Sequence, residues 1–271
     1  MSLPVLIIAH GSPNRGWTRL VEQSIQPCRK QLDGPVHIAY LGDEDEQSLV
    51  KQVKRLEQEK ARTSVAVPLF VSAGSTHIGE IRQLLGMAPE YPLPESIPPL
   101  TDRIRFLWCP PLEDHPLVIQ IVLERLKALS TDPRRESLLL VGHGSDWPGY
   151  RQHWEQLLQR LANHVRRHVP LAAVGYATLR PDTVATRARE LAAQGTLLVL
   201  PLFLSPGYFT HQAIPQRLAG IPHRYRGEAY APHRAIGQWI VQSVQHAVSL
   251  MVGAENAGSG ESRVPPVEYP I

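Results

Sequence analysis

One passage of the chain occurs twice, and the repeat limits the fold more than any other feature. Val65-Ala-Val-Pro-Leu-Phe-Val-Ser-Ala-Gly-Ser-Thr-His77 returns as Leu198-Val-Leu-Pro-Leu-Phe-Leu-Ser-Pro-Gly-Tyr-Phe-Thr-His211. Pro68 maps to Pro201 at an offset of 133 and His77 to His211 at 134, so one residue has been inserted in the loop before the second histidine. A second motif keeps the interval: Leu6-Ile-Ile-Ala-His10-Gly11-Ser12 recurs as Leu139-Leu-Val-Gly-His143-Gly144-Ser145, offset 133. Two unlike motifs repeated in one order at one distance mark an internal duplication of about 130 residues. The 271 residues therefore divide into a first half, 1–130, and a second, 131–252, each long enough to bury a core.

Within each half, short apolar runs alternate with amphipathic stretches. In the first, Val5 to Ala9, Val36 to Leu41, Ser64 to Val71 and Arg103 to Trp108 read as strands. Trp17, Leu20, Val21 and Ile25, then Leu49, Val53 and Leu56, then Ile78 to Leu85 and Leu117 to Leu129 read as helices. The second half repeats the order, with strands expected at 137–141, 171–176, 196–204 and 225–230 and helices at 150–165, 183–193, 212–219 and 233–252. This is the rhythm of an α/β fold: two duplicated flavodoxin-like domains, each a mostly parallel sheet flanked by helices. Five prolines from Pro89 to Pro99 exclude regular structure there, and the Gly, Ser, Glu, Asn and Pro of 253–271 predict a disordered tail.

A net charge of +3 with 20% charged residues gives no reason to expect nucleic acid, and no apolar run is long enough to span a membrane. Cys28 and Cys109 form no pairing framework, so a cytoplasmic protein is expected, as a monomer or weak dimer.

Twelve histidines make a single one uninformative, but four close a repeated strand, where parallel sheets gather their ligand groups. If the first and third strands are neighbours, His10 meets His77 and His143 meets His211. Two neutral imidazoles suit cobalt, nickel, iron or zinc and leave most coordination positions open, unlike a closed four-ligand zinc site. Ser12 and Ser145 lack a nucleophile-elbow context and fit turn roles.

The His-Gly-Ser motif and the Pro-Leu-Phe strand running into a Thr-His loop resemble the sirohydrochlorin cobaltochelatase and ferrochelatase family, the class II chelatases. The resemblance covers about residues 3 to 250. It implies insertion of a divalent ion, Co²⁺ or Fe²⁺ with Ni²⁺ as a further candidate, into a tetrapyrrole. The ion is substrate, and no permanently bound cofactor is expected. His10, His77, His143 and His211 would be metal ligands and catalytic groups, with Glu44 of the acidic run 43–46, or Glu80, relaying protons. Family members commonly follow the second histidine with an acidic residue and Ile-Pro. This chain has His77-Ile-Gly-Glu80-Ile81 and His211-Gln-Ala-Ile214-Pro215. Two-domain members keep their working histidines in one half; here both pairs survive, and His10 with His77 is the expected site. A carboxylate-rich macrocycle calls for arginines, Arg180 first and Arg15, Arg82, Arg187 and Arg217 behind it, while Tyr208 and Phe209 could stack on its face; Ser12, Arg180 and Tyr208 form the substrate-side set. Two other readings remain open: a carrier that binds metal or tetrapyrrole without turnover, and a histidine phosphatase, for which the arginine expected before His-Gly is missing.

Overall fold

Val5, Ile7 and Ala9 face one side of the first strand and Leu6 and Ile8 the other; all five are buried, so the strand needs cover on both faces. A computed structural model, which describes residues 2–11, 15–42 and 46–256, shows where that cover comes from. The first half runs β1 (Val5–His10), α1 (Arg15–Arg29), β2 (Val36–Leu41), α2 (Leu49–Gln58), β3 (Thr63–Pro68), α3 (Thr76–Leu84), β4 (Arg105–Trp108) and α4 (Pro116–Leu129). The second runs β5 (Glu136–Gly144), α5 (Pro148–His168), β6 (Ala173–Arg180), α6 (Val184–Ala192), β7 (Thr196–Pro201), a π-helical turn (Phe209–Ala213), α7 (Ile214–Arg217) and α8 (Arg234–Asn256). The strand orders are β2-β1-β3-β4 and β6-β5-β7, every pair parallel, so the first and third strands of each half are neighbours.

The sequence expectation fails in two places. The run 225–230 forms no fourth strand. Arg224 exchanges backbone hydrogen bonds with Leu197 and Val199, and the chain then leaves the sheet until Tyr230 and Ala231 donate to Phe203 and Leu204. Between them the Tyr225 hydroxyl donates to the Thr210 carbonyl at 2.7 Å, which ties the segment to the inserted loop instead of the ladder. The last helix also continues through Gly253 to Asn256, beyond the boundary expected at 252. Candidates Ser12 and Glu44 lie outside the described residues, as does 257–271.

The outer faces are closed locally, by α2 and α3 over the first sheet and by α6 and α7 over the second. On the inner faces the halves exchange their last helices. α8 packs against α1, β3 and β4 of the first half, and α4 packs against β7 and α5 of the second. One apolar core runs unbroken from Ile7 and Val67 through Ile121 and Trp239 to Leu158 and Leu200. Trp239, on α8, is fully buried in it.

A polar network crosses the same interface. His153 on α5 donates from Nε2 to Glu113 Oε1 at 3.0 Å, while its Nδ1 meets the Tyr91 hydroxyl at 3.0 Å. Arg160 grips Asp114 through Nε at 2.8 Å and reaches Glu113 at 3.3 Å. Glu113 also accepts the Ala73 N–H at 2.5 Å, on the loop that leads to His77. Burial works against protonation of His153, but the hydrogen bond and charge of Glu113, with Glu90 beyond, outweigh it and raise its pKa.

Two outcomes follow from this shared core. Trp239→Ala should cost about 3–5 kcal/mol and unfold both halves in one denaturant transition; two separated transitions would mean the halves fold alone. A histidine with a raised folded pKa adds stability that is full below its unfolded value, about 6.5, and is lost as pH rises through the folded one. The advantage of wild type over His153→Gln in urea midpoint should therefore shrink from pH 6 upward, and an advantage constant to pH 9 would contradict the assignment.

Candidate metal centre at the strand ends

β1 ends on His10, and β3, its neighbour, feeds the loop that delivers His77 into the first turn of α3. The two imidazoles meet edge to face with ring centroids 4.9 Å apart. Their tautomers are set by what lies behind them. His10 Nδ1 faces the Gly11 carbonyl at 2.5 Å, and because a carbonyl only accepts, Nδ1 carries the proton. His77 Nδ1 donates to Glu80 Oε2 at 2.9 Å, one turn along the same helix face. Both Nε2 lone pairs are left free, the arrangement by which an outer hydrogen bond readies a histidine for a metal. Glu80 is held below the usual carboxylate range, first by the His77 hydrogen bond and further by the charges of His77 and His10, against the opposing effect of burial. No cage of three or more His, Cys, Asp or Glu side chains exists among the described residues, so the candidate is a pair of imidazoles with a carboxylate behind one of them.

The second half packs directly on this helix. A Cβ at Gly79 would lie 2.3 Å from the Tyr150 hydroxyl, so only glycine lets α3 and α5 approach this closely. His143 lies at the end of β5, its Nδ1 proton given to the Gly144 carbonyl at 3.0 Å as His10 gives its own to Gly11. Gly144 has φ +75°, and a Cβ there would meet the Arg180 carbonyl at 2.1 Å. Ser145 serves the turn, its hydroxyl accepting the Trp147 N–H at 3.2 Å. Burial holds His143 below the usual imidazole range; the Gly144 hydrogen bond opposes this, and the charges of Arg180 and His77 add to it.

His143 and His211 are not brought together. The ring against His143 is Phe209, edge to face at 5.1 Å, while His211 stands exposed on the π turn. Tyr208 is 60% exposed beside it. Arg180 closes β6 and pairs with Asp146 at 3.3 Å, both largely exposed. The other arginines are engaged elsewhere: Arg82 lies over Trp108, Arg187 pairs with Glu190 and Arg217 with Asp182, while the side chain of Arg15 lies outside those described. Two features escaped the sequence reading. Trp147, 47% exposed just past His143, was signalled only by its place in the loop after a repeated motif, and Glu113 had no sequence signal. A groove of about 1990 Å³ along the β4 edge is lined by Ile78 and Arg82 of α3 but by none of the four histidines.

The CbiX family model matches twice, at residues 4–129 and 137–247. The sirohydrochlorin cobaltochelatase of Sulfolobus acidocaldarius is 30% identical over 83 residues, covering 30% of this chain and 64% of that one. The sirohydrochlorin ferrochelatase of Priestia megaterium is 24% identical over 163 residues, 58% of this chain and 56% of that one. The chain thus spans less than two thirds of the length of these relatives. Among solved structures, SirB from Bacillus subtilis with Fe³⁺ superposes with a TM-score of 0.71 at 18% identity, covering 93% of this chain and 98% of that one. CbiX, the terminal enzyme of siroheme biosynthesis in denitrifying bacteria, gives 0.61 at 20% identity over 90% of this chain and 99% of that one. These superpositions show the fold, and the double family match agrees with the duplication. No described helix is long and apolar enough to cross a membrane.

Co²⁺ titrated into the purified chain should bind at His10 and His77. Glu80→Gln should weaken that binding about 10–100-fold, the usual effect of losing a group behind a ligating histidine. Unchanged affinity in the Glu80 variant would remove the carboxylate from the site.

Proposed function

Since the chain belongs to the CbiX family, we propose that it inserts a divalent cobalt or iron ion into sirohydrochlorin, with the ion as substrate and no resident cofactor. The observation that carries this reading is the 4.9 Å meeting of His10 and His77 with both Nδ1 protons engaged and both Nε2 atoms free. Two nitrogen ligands capture an ion from solution yet leave most of its coordination positions to the macrocycle, so the ion can be handed on.

Each ion that enters displaces two pyrrole N–H protons, and both must be accepted. The imidazoles of His10 and His77 are free to take protons once the ion has left them. Glu80, ionised and hydrogen-bonded to His77, balances the positive charge that builds there. His143 stands on the facing half, where burial lowers its pKa and keeps the imidazole neutral, so it adds no positive charge near the ion. A single chain supplies both walls of the site, so a monomer suffices, and the two buried free thiols, Cys28 and Cys109, fit a cytoplasmic setting.

Absorption-monitored insertion of Co²⁺, and anaerobically of Fe²⁺, into sirohydrochlorin tests the reading. His10→Ala/His77→Ala should fall to the uncatalysed rate, whereas His143→Ala/His211→Ala should be slowed but active. A wild type that binds the macrocycle and never exceeds the uncatalysed rate would instead make the chain a carrier.

A further inference from the structure

His10 is the last residue of a strand, but His77 comes after the loop 69–75 that joins β3 to α3, and that loop is gripped from outside. Glu113 donates its backbone N–H to the Val71 carbonyl at 3.0 Å and accepts the Ala73 N–H on its carboxylate at 2.5 Å, so main chain and side chain close on the loop from either side of Ser72. Ser72 is buried, and its hydroxyl accepts the Gly74 N–H at 3.0 Å. A Cβ at Gly74 would lie 2.7 Å from the Tyr150 carbonyl and 2.6 Å from the Trp154 ring, so the loop rests directly on α5 of the second half.

The same helix fixes the carboxylate. His153 donates to Oε1, the oxygen that takes the Ala73 N–H, and Arg160 reaches Oε2 while holding Asp114. Bonds from cationic donors to a carboxylate are the strong ones, and here they come from a half of the molecule other than the loop they serve. The backbone of Glu113 has φ +46°, in the left-handed region where glycine is the comfortable occupant and a side chain adds strain. A position needed only to turn the chain from β4 towards α4 would be better filled by glycine. Strain of this kind persists where the surroundings over-determine the residue, and what over-determines Glu113 is its carboxylate.

We infer that Glu113 is a positioning residue for the ion site: it fixes the loop before α3 to the facing half, and so sets how His77 meets His10, without touching ion or macrocycle itself. The inference rests on the proposed reading in taking His10 and His77 as the ligands of the ion. Two imidazoles from separate segments hold one ion well only when their spacing is set beforehand, because a ligand that must be ordered on binding costs affinity. His10 has its strand for this purpose, and His77 has Glu113.

Co²⁺ titrations of folded protein, with urea midpoints measured alongside, test it. Glu113→Gly relieves the backbone while removing the carboxylate, and should bind Co²⁺ about tenfold more weakly, the low end of what losing a group behind a ligand does. Glu113→Gln keeps an oxygen for the Ala73 N–H and should stay within about twofold of wild type. Trp239→Ala injures the shared core without touching the loop; it should lower the urea midpoint further than either and leave the Co²⁺ affinity of the folded protein unchanged. Should Glu113→Gly not fold, Arg160→Met, which loosens the carboxylate but keeps it, should weaken Co²⁺ about threefold. Unchanged affinity in the folded glycine or methionine variant, an equal loss in Trp239→Ala, or a loss in Glu113→Gln as large as in Glu113→Gly would overturn the assignment. None of these titrations involves turnover. A chain that shows this pattern and never inserts metal would sink the chelatase reading and leave Glu113 in its role; an active chelatase whose Glu113→Gly variant binds Co²⁺ like wild type would do the reverse.

Discussion

Neither sheet can close its own inner face. α4 leaves the first half to pack on β7 and α5, α8 crosses back onto α1, β3 and β4, and the two inner faces share one apolar core. A duplicated chain that kept each last helix on its own sheet would be two beads on a string, with a mobile joint between them. Exchanging the helices makes relative movement of the halves a core defect, because sliding one sheet would open cavities around Trp239 and Leu158. The loops at the strand ends gain a fixed spacing from this, and the network of His153, Glu113 and Arg160 pins one of them, through the Ala73 N–H, to the facing half.

Local rules then complete the site. Parallel order β2-β1-β3 sets the end of β1 beside the loop after β3, which brings His10 to His77 without any long-range instruction. A histidine followed by glycine at the end of a strand gives its Nδ1 proton to the next carbonyl, in both halves. The ligand-ready tautomer is thus a property of the His-Gly turn, and what differs between the halves is the ring brought to face it.

Fold class and the duplication were readable because each depends on periodicity and repetition, which a sequence displays directly; the neighbouring of the first and third strands entered as a condition of the flavodoxin-like order, and the sheets meet it. The missing fourth strand was not readable. Its residues have strand character, yet Tyr225 is tied to the Thr210 carbonyl, more than ten residues away, a contact that the local pattern does not announce. The separation of His143 from His211 had a sequence mark, the shift of offset from 133 to 134, but an insertion in a loop can be absorbed as slack or as a widened helical turn, and sequence does not distinguish them. Glu113 left no trace because its partners come from two distant segments, the loop at Ala73 and α5 at His153 and Arg160. Helix exchange was equally silent, since an amphipathic helix carries the same pattern whichever sheet it covers.

Duplication supplies two equivalent strand-end histidines, His10 and His143, and the ring that meets each is different, His77 in the first half and Phe209 in the second. The inserted residue leaves the sheet undisturbed, because a π turn takes the extra residue within a single turn and β7 stays in register with β5. His143 keeps its strand, its glycine and its tautomer, while the slot opposite passes from an imidazole to a phenyl ring. The chemistry of a half is therefore set by the register of one loop, which can change while the core beneath it stays as it was.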